Sequence, residues 1–541
     1  MSILQLHEPS LLDHWDNERN LVAPYLQLYH ARSRVKDLLC DKLGGVEKAH
    51  ASELIAYLEE SFIHGYEDAN RLFARGLVSR AHLSKLFGPA EVVVTRSGGE
   101  VVAYLSRTCP EPDTMITLDA YTWVFDGSFK REEKGLTVFW PHGSGDEIPI
   151  TSLDIYPLRF DRSGLREALR MRGETFWSCR KRRFVSYKSP ATTLEMQVAN
   201  PRYMVDMSTY RELHKEQGQS GERGDLDAEA MSRDEPPDDP FVLLLPPRIL
   251  GFGMHDKKWR SLLVEHIREI QWNRRAFKDQ LVLDSHKKDL VEALVRNHLS
   301  SRVSTDVIEE KGNGLIILLH GGPGTGKTLT AESVAELAEK PLYRVTCGDM
   351  GTDAESVERY LDSVLYIGSI WKAVVLLDES DVFLEERTQT DLQRNALVSI
   401  FLRVLEYYDG ILILTSNRVG IFDEAFKSRV QLALHYPPID QNGRQEIWNN
   451  FFVHLKKQDD TINSNDLMEK LQILAGHELN GREIRNAIAT GRQLARFKNE
   501  PLSYSHLKQT IKVANEFNEY VEKTHGHRDS EYVRAQGTRL E

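Results

Sequence analysis

The stretch Gly321-Gly322-Pro323-Gly324-Thr325-Gly326-Lys327-Thr328 restricts the fold more than any other part of the chain. Backbone N–H groups turn inward around an anion where glycines relax the φ constraint. The order G-x-x-x-x-G-K-[ST] adds a lysine for the β/γ-phosphate charge and a hydroxyl for Mg²⁺. Such a loop works between a buried strand and the positive end of a helix. The flanks agree: Leu315 to His320 is a short apolar run, and Leu329 to Glu339 has the apolar spacing of an amphipathic helix. The expected nucleotide-contacting set is therefore Gly321, Gly322, Pro323, Gly324, Thr325, Gly326, Lys327, Thr328 and Leu329, with Thr328 also a metal ligand.

A chain of 541 residues exceeds one ordinary hydrophobic core and predicts about two to four domains. Its net charge of −12 argues against a general binder of nucleic acid or anionic membrane, since both need a basic footprint. Cys40, Cys109, Cys179 and Cys347 lie far apart without C-x-x-C spacing, which fits a reducing compartment. The N-terminal residues lack a basic leader with an apolar core, and no run approaches about 18 apolar residues. The expectation is a soluble protein of cytosol or nucleus with no membrane partner.

Hydrophobic periodicity divides the chain. Residues 1-88 read as a helical N-terminal segment, with Leu38, Leu39, Leu43, Leu54, Ile55, Leu58 and Phe62 at helical spacing. Residues 89-275 read as a β-rich domain, with alternating strands separated by Gly98-Gly99 and Asp126-Gly127. An acidic, Gly- and Pro-punctuated segment, 215-240, interrupts it and is expected to be flexible. Phe241 to Leu245, ahead of Pro246-Pro247, reads as a strand. The arginine-rich stretch Arg166 to Arg183 reads as a solvated face rather than a nucleic-acid patch. Residues 276-437 alternate apolar strands with helices, predicting an α/β core with a parallel sheet. Residues 438-525 read as all-helical, and 526-541 as a polar tail.

Downstream of the loop, Ala373 to Leu377 is an apolar strand ending in Asp378-Glu379. At the carboxyl edge of a parallel sheet, Asp378 is placed to hold the Mg²⁺ shell and Glu379 to orient the attacking water. A further strand, Ile411 to Thr415, ends in Ser416-Asn417-Arg418, where the Asn417 amide can bond the γ-phosphate or that water. Then comes Phe422-Asp423-Glu424-Ala425-Phe426-Lys427-Ser428-Arg429. In this order and spacing the four elements resemble the AAA family of ATPases, a branch of the AAA+ superfamily. The resemblance implies a P-loop NTPase core followed by an all-α lid, ATP and Mg²⁺ as cofactors, and a ring, hexameric in the family.

It further implies that Arg429 is an arginine finger reaching a neighbour's γ-phosphate. In the helical region, Leu479-Asn480-Gly481-Arg482-Glu483-Ile484-Arg485-Asn486 resembles the lid segment whose arginine contacts bound nucleotide, with Arg482 the first choice and Arg485 close on the same face. Upstream, Pro157 to Phe160, Leu245 to Phe252 and Trp272-Asn273 resemble fungal AAA ATPases with an N-terminal domain of unknown function. The expected activity is ATP hydrolysis coupled to remodelling of a protein partner held by the N-terminal domains. The alternative is a nucleotide-switched scaffold with slow hydrolysis and no threading, because Gly348 to Asp353 lacks the aromatic that grips substrate in threading members. A nucleic-acid-dependent ATPase is disfavoured by the acidic balance.

Overall fold

The computed structural model describes residues 23–32, 45–110, 116–188, 201–214, 224–300, 314–346, 348, 354–384, 392–418, 422–458 and 462–525. Leu38, Leu39, Leu43, Cys40, Cys347, Asp349 to Asp353, residues 215–223 of the acidic segment and the tail 526–541 lie outside the described residues. The chain divides into two compact units, Met1–Ile270 and Gln271–Glu541.

In the first unit, helix α1 (Gly45–Ala74) buries Ile55 and Leu58. Strands β1 (Leu77–Ser79), β2 (Val92–Ser97), β3 (Glu100–Ser106), β4 (Ile116–Phe125), β5 (Phe129–Val138), β6 (Glu147–Pro149) and β7 (Ile155–Pro157) follow. Five of them form an antiparallel sheet ordered β5-β4-β3-β2-β7, and β1 pairs with β6. The β2–β3 hairpin closes through Gly98-Gly99, with φ of 60° and 86° between the paired Ser97 and Glu100. Two left-handed residues match the strand twist, and glycine adopts both without strain.

Helix α2 (Leu165–Ser178) leads to β8 (Arg183–Tyr187), β9 (Arg202–Val205), helix α3 (Asp239–Leu243), β10 (Arg248–Gly253), β11 (Trp259–Leu263) and β12 (Ile267–Arg268). These strands make a second antiparallel sheet, ordered β11-β10-β9-β8-β12. One core joins both sheets and α2, through Leu118, Phe129, Phe176, Trp177, Val205 and Leu262 among others.

Phe241 to Leu245, expected as a strand, begins instead as α3. The Asp238 side chain accepts from the Phe241 N–H at 2.7 Å and a proline occupies the first turn. An Asp cap followed by proline starts a helix, so the apolar run predicts burial but not backbone. The acidic segment also differs from the expected loose loop over residues 224–240. Trp177 donates to the Asp234 carbonyl at 2.9 Å, and the Arg131 N–H donates to Asp225 at 2.7 Å. Polar contacts dock it where apolar burial is scarce.

The arginine-rich stretch is engaged internally. Arg166 and Arg170 both pair with Asp239, Arg182 with Asp206 and Arg183 with Glu269. Arg180 and Lys181 donate to the carbonyls of Met231 and Ser232. Arg172 is buried, donates to the Val101 carbonyl at 2.6 Å, and is pushed down to about 10 by that burial.

The second unit is a three-layered α/β body followed by helices. Helix α4 (Ser285–Ser300) precedes β13 (Leu315–Gly321), α5 (Lys327–Ala338), β14 (Leu342–Thr346), α6 (Ala354–Trp371), β15 (Val374–Asp378), α7 (Leu392–Tyr407), β16 (Ile411–Ser416) and β17 (Leu432–Tyr436). The five strands are all parallel, ordered β14-β15-β16-β13-β17. Burial on both faces makes β13, β15 and β16 near-continuous apolar runs. Helices α8 (Gln441–Gln458), α9 (Gly481–Lys498) and α10 (Tyr504–His525), with two short helices over Ser464–Glu469 and Leu471–Gly476 between the first two, close on a separate core of Trp448, Phe452, Leu467, Ile484 and Leu507.

Gly173 lies where α2 crosses α3, and a Cβ there would stand 2.1 Å from the Val242 carbonyl oxygen. Gly173→Ala is expected to destabilise the first unit by about 2 kcal/mol or more. Gly135→Ala, whose methyl would meet Thr117 at an ordinary 3.7 Å, stays within about 0.5 kcal/mol. Thermal unfolding of the two variants checks the difference.

Candidate functional site

Parallel pairing brings the ends of β13, β15 and β16 to one edge, the place where open α/β sheets bind ligands. The loop after β13 holds Gly321, Gly324 and Gly326 at φ of 145°, 73° and 103°. A Cβ on Gly321 would stand 2.2 Å from the Tyr436 carbonyl oxygen, so the loop packs directly on β17. Lys327 opens α5, is 8% exposed, and donates to the carbonyls of Gly321 and Gly322 at 2.8 and 2.7 Å. Its ammonium is thus held within the loop. Thr325 donates to the Gly322 carbonyl at 2.8 Å, while Leu329 is exposed. His320 is pushed down to about 4, first by burial and then by His435, Lys287 and Lys327, so it is neutral near pH 7.

Asp378 ends β15 and is 6% exposed. Its carboxylate accepts from Thr415 at 2.6 Å and from Arg344 at 2.6 Å, with the Thr328 hydroxyl 3.3 and 3.4 Å from its two oxygens. A hydroxyl beside a carboxylate suits a hard divalent cation that keeps several waters. Among the described residues, no group of three or more His, Cys, Asp or Glu side chains clusters to hold a metal.

Glu379 is exposed and left-handed, with φ 58°. For a non-glycine residue this costs roughly 1–2 kcal/mol. Thr415 offsets it: its hydroxyl accepts from the Glu379 N–H at 2.9 Å, and its carbonyl accepts from the Ser380 N–H at 2.9 Å. Asn417 follows β16 at the same edge. The Asp381 carboxylate accepts from the N–H groups of Asn417 and Arg418 at 3.1 and 3.2 Å, which fixes that turn.

Arg429 lies elsewhere. Two residues on, the Gln431 N–H donates to the Ile316 carbonyl at 3.1 Å, at the start of β13 and the opposite edge of the sheet from the loop. Its guanidinium donates to the Ala425 carbonyl at 2.8 Å and pairs with Glu406 at 3.3 Å.

The helical body touches the loop through Asn480-Gly481. The Gly481 N–H donates to the Gly324 carbonyl at 3.0 Å, and a Cβ on Gly324 would stand 2.3 Å from the Asn480 side-chain oxygen. Asn480 and Glu483 form a capping box at the start of α9, with the Arg482 N–H inside the cap and its side chain exposed. Arg485, one turn on, acts on Glu332 of α5. Desolvation raises the Glu332 carboxyl, Arg344 lowers it, Asp378 raises it, and Arg485 lowers it.

Sequence reasoning missed Thr415, Arg344 and Asp381. Each acts through strand register or a tertiary turn, and as a residue type none carries a signal. The Asn480-to-Glu483 spacing was a readable helix start.

Residues 317–438 match the ATPase family associated with various cellular activities (AAA), and 439–528 match the fungal AAA+ ATPase lid domain. Residues 317–528 thus carry an AAA ATPase domain followed by a fungal AAA+ type lid. Residues 68–162 match a domain of unknown function, DUF7025. CD-NTase-associated protein 6 of Pseudomonas aeruginosa is 26% identical over 269 residues, covering 44% of this chain and 87% of that protein. A 26S proteasome regulatory subunit 8 homolog of Saccharomyces cerevisiae is 26% identical, covering 36% and 49%. A proteasome-activating nucleotidase of Archaeoglobus fulgidus is 24% identical, covering 48% and 61%. The domain match and these relatives support nucleotide binding and ATPase activity in general terms. No helix among the described residues is long and apolar enough to cross a membrane.

Thr415→Val keeps shape and removes the hydroxyl shared by Asp378 and Glu379. Leaving these groups short of a partner is expected to destabilise the second unit by about 1–3 kcal/mol. Thr415→Ser restores most of it, as read by thermal unfolding of both variants.

Proposed function

We propose that the chain is an oligomeric, Mg²⁺-dependent ATPase in which Arg429 of one copy completes the site of the next, and that turnover remodels a protein partner. One observation carries the assembly. Arg429 lies beside the first residues of β13, while the phosphate loop begins at its last, Gly321, about 16 Å away along the strand. One side chain does not span that gap, so a γ-phosphate met by Arg429 belongs to another chain. Head-to-tail contacts of this kind close into rings.

Within one site, backbone N–H groups of the loop face the phosphates and Lys327 neutralises their charge. Glu379 orients the attacking water and Asn417 bonds the γ-phosphate or that water. Mg²⁺, when bound through Thr328 and Asp378, neutralises charge developing on the phosphate oxygens. Arg429 adds a fixed cation at the transition state, so hydrolysis waits for assembly. The lid segment, with Arg482 or Arg485 toward the nucleotide, links turnover to movement of the helical body. The N-terminal unit holds the partner.

Lys327→Ala is expected to lose nucleotide binding. Glu379→Gln binds but does not hydrolyse, and Arg429→Ala loses about 10³-fold in turnover. Mixing these last two inactive proteins is the decisive experiment. Random head-to-tail assembly pairs an intact site with an intact Arg429 in about a quarter of positions, and that share of wild-type turnover returns. No recovery on mixing rules out action between copies.

The scaffold reading draws on one sequence observation, the missing aromatic between Gly348 and Asp353. It predicts that captured protein is not unfolded under saturating ATP. A fluorescence unfolding assay in which captured protein does unfold excludes it.

A further inference from the structure

Arg344 has no part in the reading above, yet its guanidinium pairs directly with the Asp378 carboxylate. Strands β14 and β15 pair in parallel, with Arg344 opposite Leu376 and Thr346 opposite Asp378. Side chains two residues apart share a face, so Arg344 stands one step, about 7 Å, behind Asp378 on the same side of the sheet. Its guanidinium spans that step and donates to the second carboxylate oxygen of Asp378 at 2.6 Å. The first oxygen is taken by Thr415 at 2.6 Å. The carboxylate that faces Thr328 is thereby already neutralised by a cation of the same chain. The members differ in freedom: the Asp378 side chain is 8% exposed and that of Arg344 49%. The buried acid cannot leave, whereas the arginine can.

We propose that Arg344 is the resident counter-ion of Asp378 and that a divalent cation binds by displacing it, so that Arg344 sets the Mg²⁺ concentration at which the site loads. This rests on the ATPase reading, and specifies how its metal position is regulated. A buried carboxylate needs a cation, and the guanidinium fills that need until a metal arrives with nucleotide. Two cations on one carboxylate repel, so occupancy is exclusive. Glu332 stands one turn beyond Thr328 on the same face of α5 and feels the charges of both Arg344 and Asp378, so it offers the displaced arginine a second carboxylate. The charge of Arg485 on α9 also favours the ionised form of Glu332. Arg344 is a positioning residue in this scheme, acting on the metal through Asp378.

The test is binding of a fluorescent N-methylanthraniloyl ATP to the full chain, titrated with Mg²⁺ and compared for each variant with binding in EDTA. Arg344→Met is expected to lower the Mg²⁺ midpoint about tenfold, the scale of one charge-assisted hydrogen bond. Arg344→Lys keeps the charge and stays within about twofold of the parent. Glu332→Gln removes the alternative carboxylate and raises the midpoint. An arginine that merely props up the sheet predicts a raised or unchanged midpoint in Arg344→Met, and either result overturns the proposal. Failure of the parent chain to bind the analogue in EDTA and in Mg²⁺ overturns the ATPase reading itself. Binding with an unshifted midpoint overturns the role of Arg344 alone.

Discussion

A single buried charge organises the second unit. Asp378 ends a strand with both faces covered, and a carboxylate there is stable only if every lone pair finds a donor or a cation. Three elements answer: Thr328 from α5, Thr415 from β16 and Arg344 from β14. These contacts tie together the helix after the phosphate loop and the strands on either side of β15. The left-handed turn at Glu379 follows, because Thr415 also receives the Glu379 N–H. Moving Asp378 by one residue would turn its side chain to the other face and release all of these partners.

The first unit manages its charges by a different route. Its arginine-rich stretch meets Asp239, Asp206, Glu269 and several carbonyls, and the acidic segment supplies a share of those partners. A basic patch in sequence is therefore not a basic surface in the fold, and the neighbouring acids are spatial complements rather than a separate linker. The same contacts hold residues 224–240 against α2 and β5, where few apolar side chains are available to do so.

What was legible in the sequence follows from how local each signal is. The phosphate loop, the Gly98-Gly99 hairpin and the apolar strands of the parallel sheet all announce themselves within a dozen residues, because backbone freedom and hydrophobic period act locally. Phe241 to Leu245 was misread because two local signals conflict. The apolar run favours a strand, but Asp238 and Pro240 start a helix, and the cap decides the backbone. Arg344, Thr415 and Asp381 were invisible for another reason. Their roles depend on which strands become neighbours, and the order β14-β15-β16 is a property of the assembled sheet.

The contact between Gly324 and Asn480-Gly481 bears on how chemistry becomes motion. The phosphate loop is held stiff by packing on β17 behind Gly321 and by the Lys327 bonds to the Gly321 and Gly322 carbonyls. The start of α9 is stiff as well, fixed by its capping box. Two rigid parts joined by a backbone hydrogen bond and a close van der Waals approach would transmit a shift at the loop as a rotation of the helix, rather than absorbing it. On the proposed reading charge would act along a parallel route, from Asp378 to Arg344 through their ion pair and on to Glu332 and Arg485 through their fields. The backbone contact would respond to where the phosphates sit, and the charged route to whether a cation balances them. On the proposed ATPase reading the helical body would be coupled to the phosphates and to their counter-charge through separate contacts, and a lid that answers to both would distinguish a loaded site from a half-filled one.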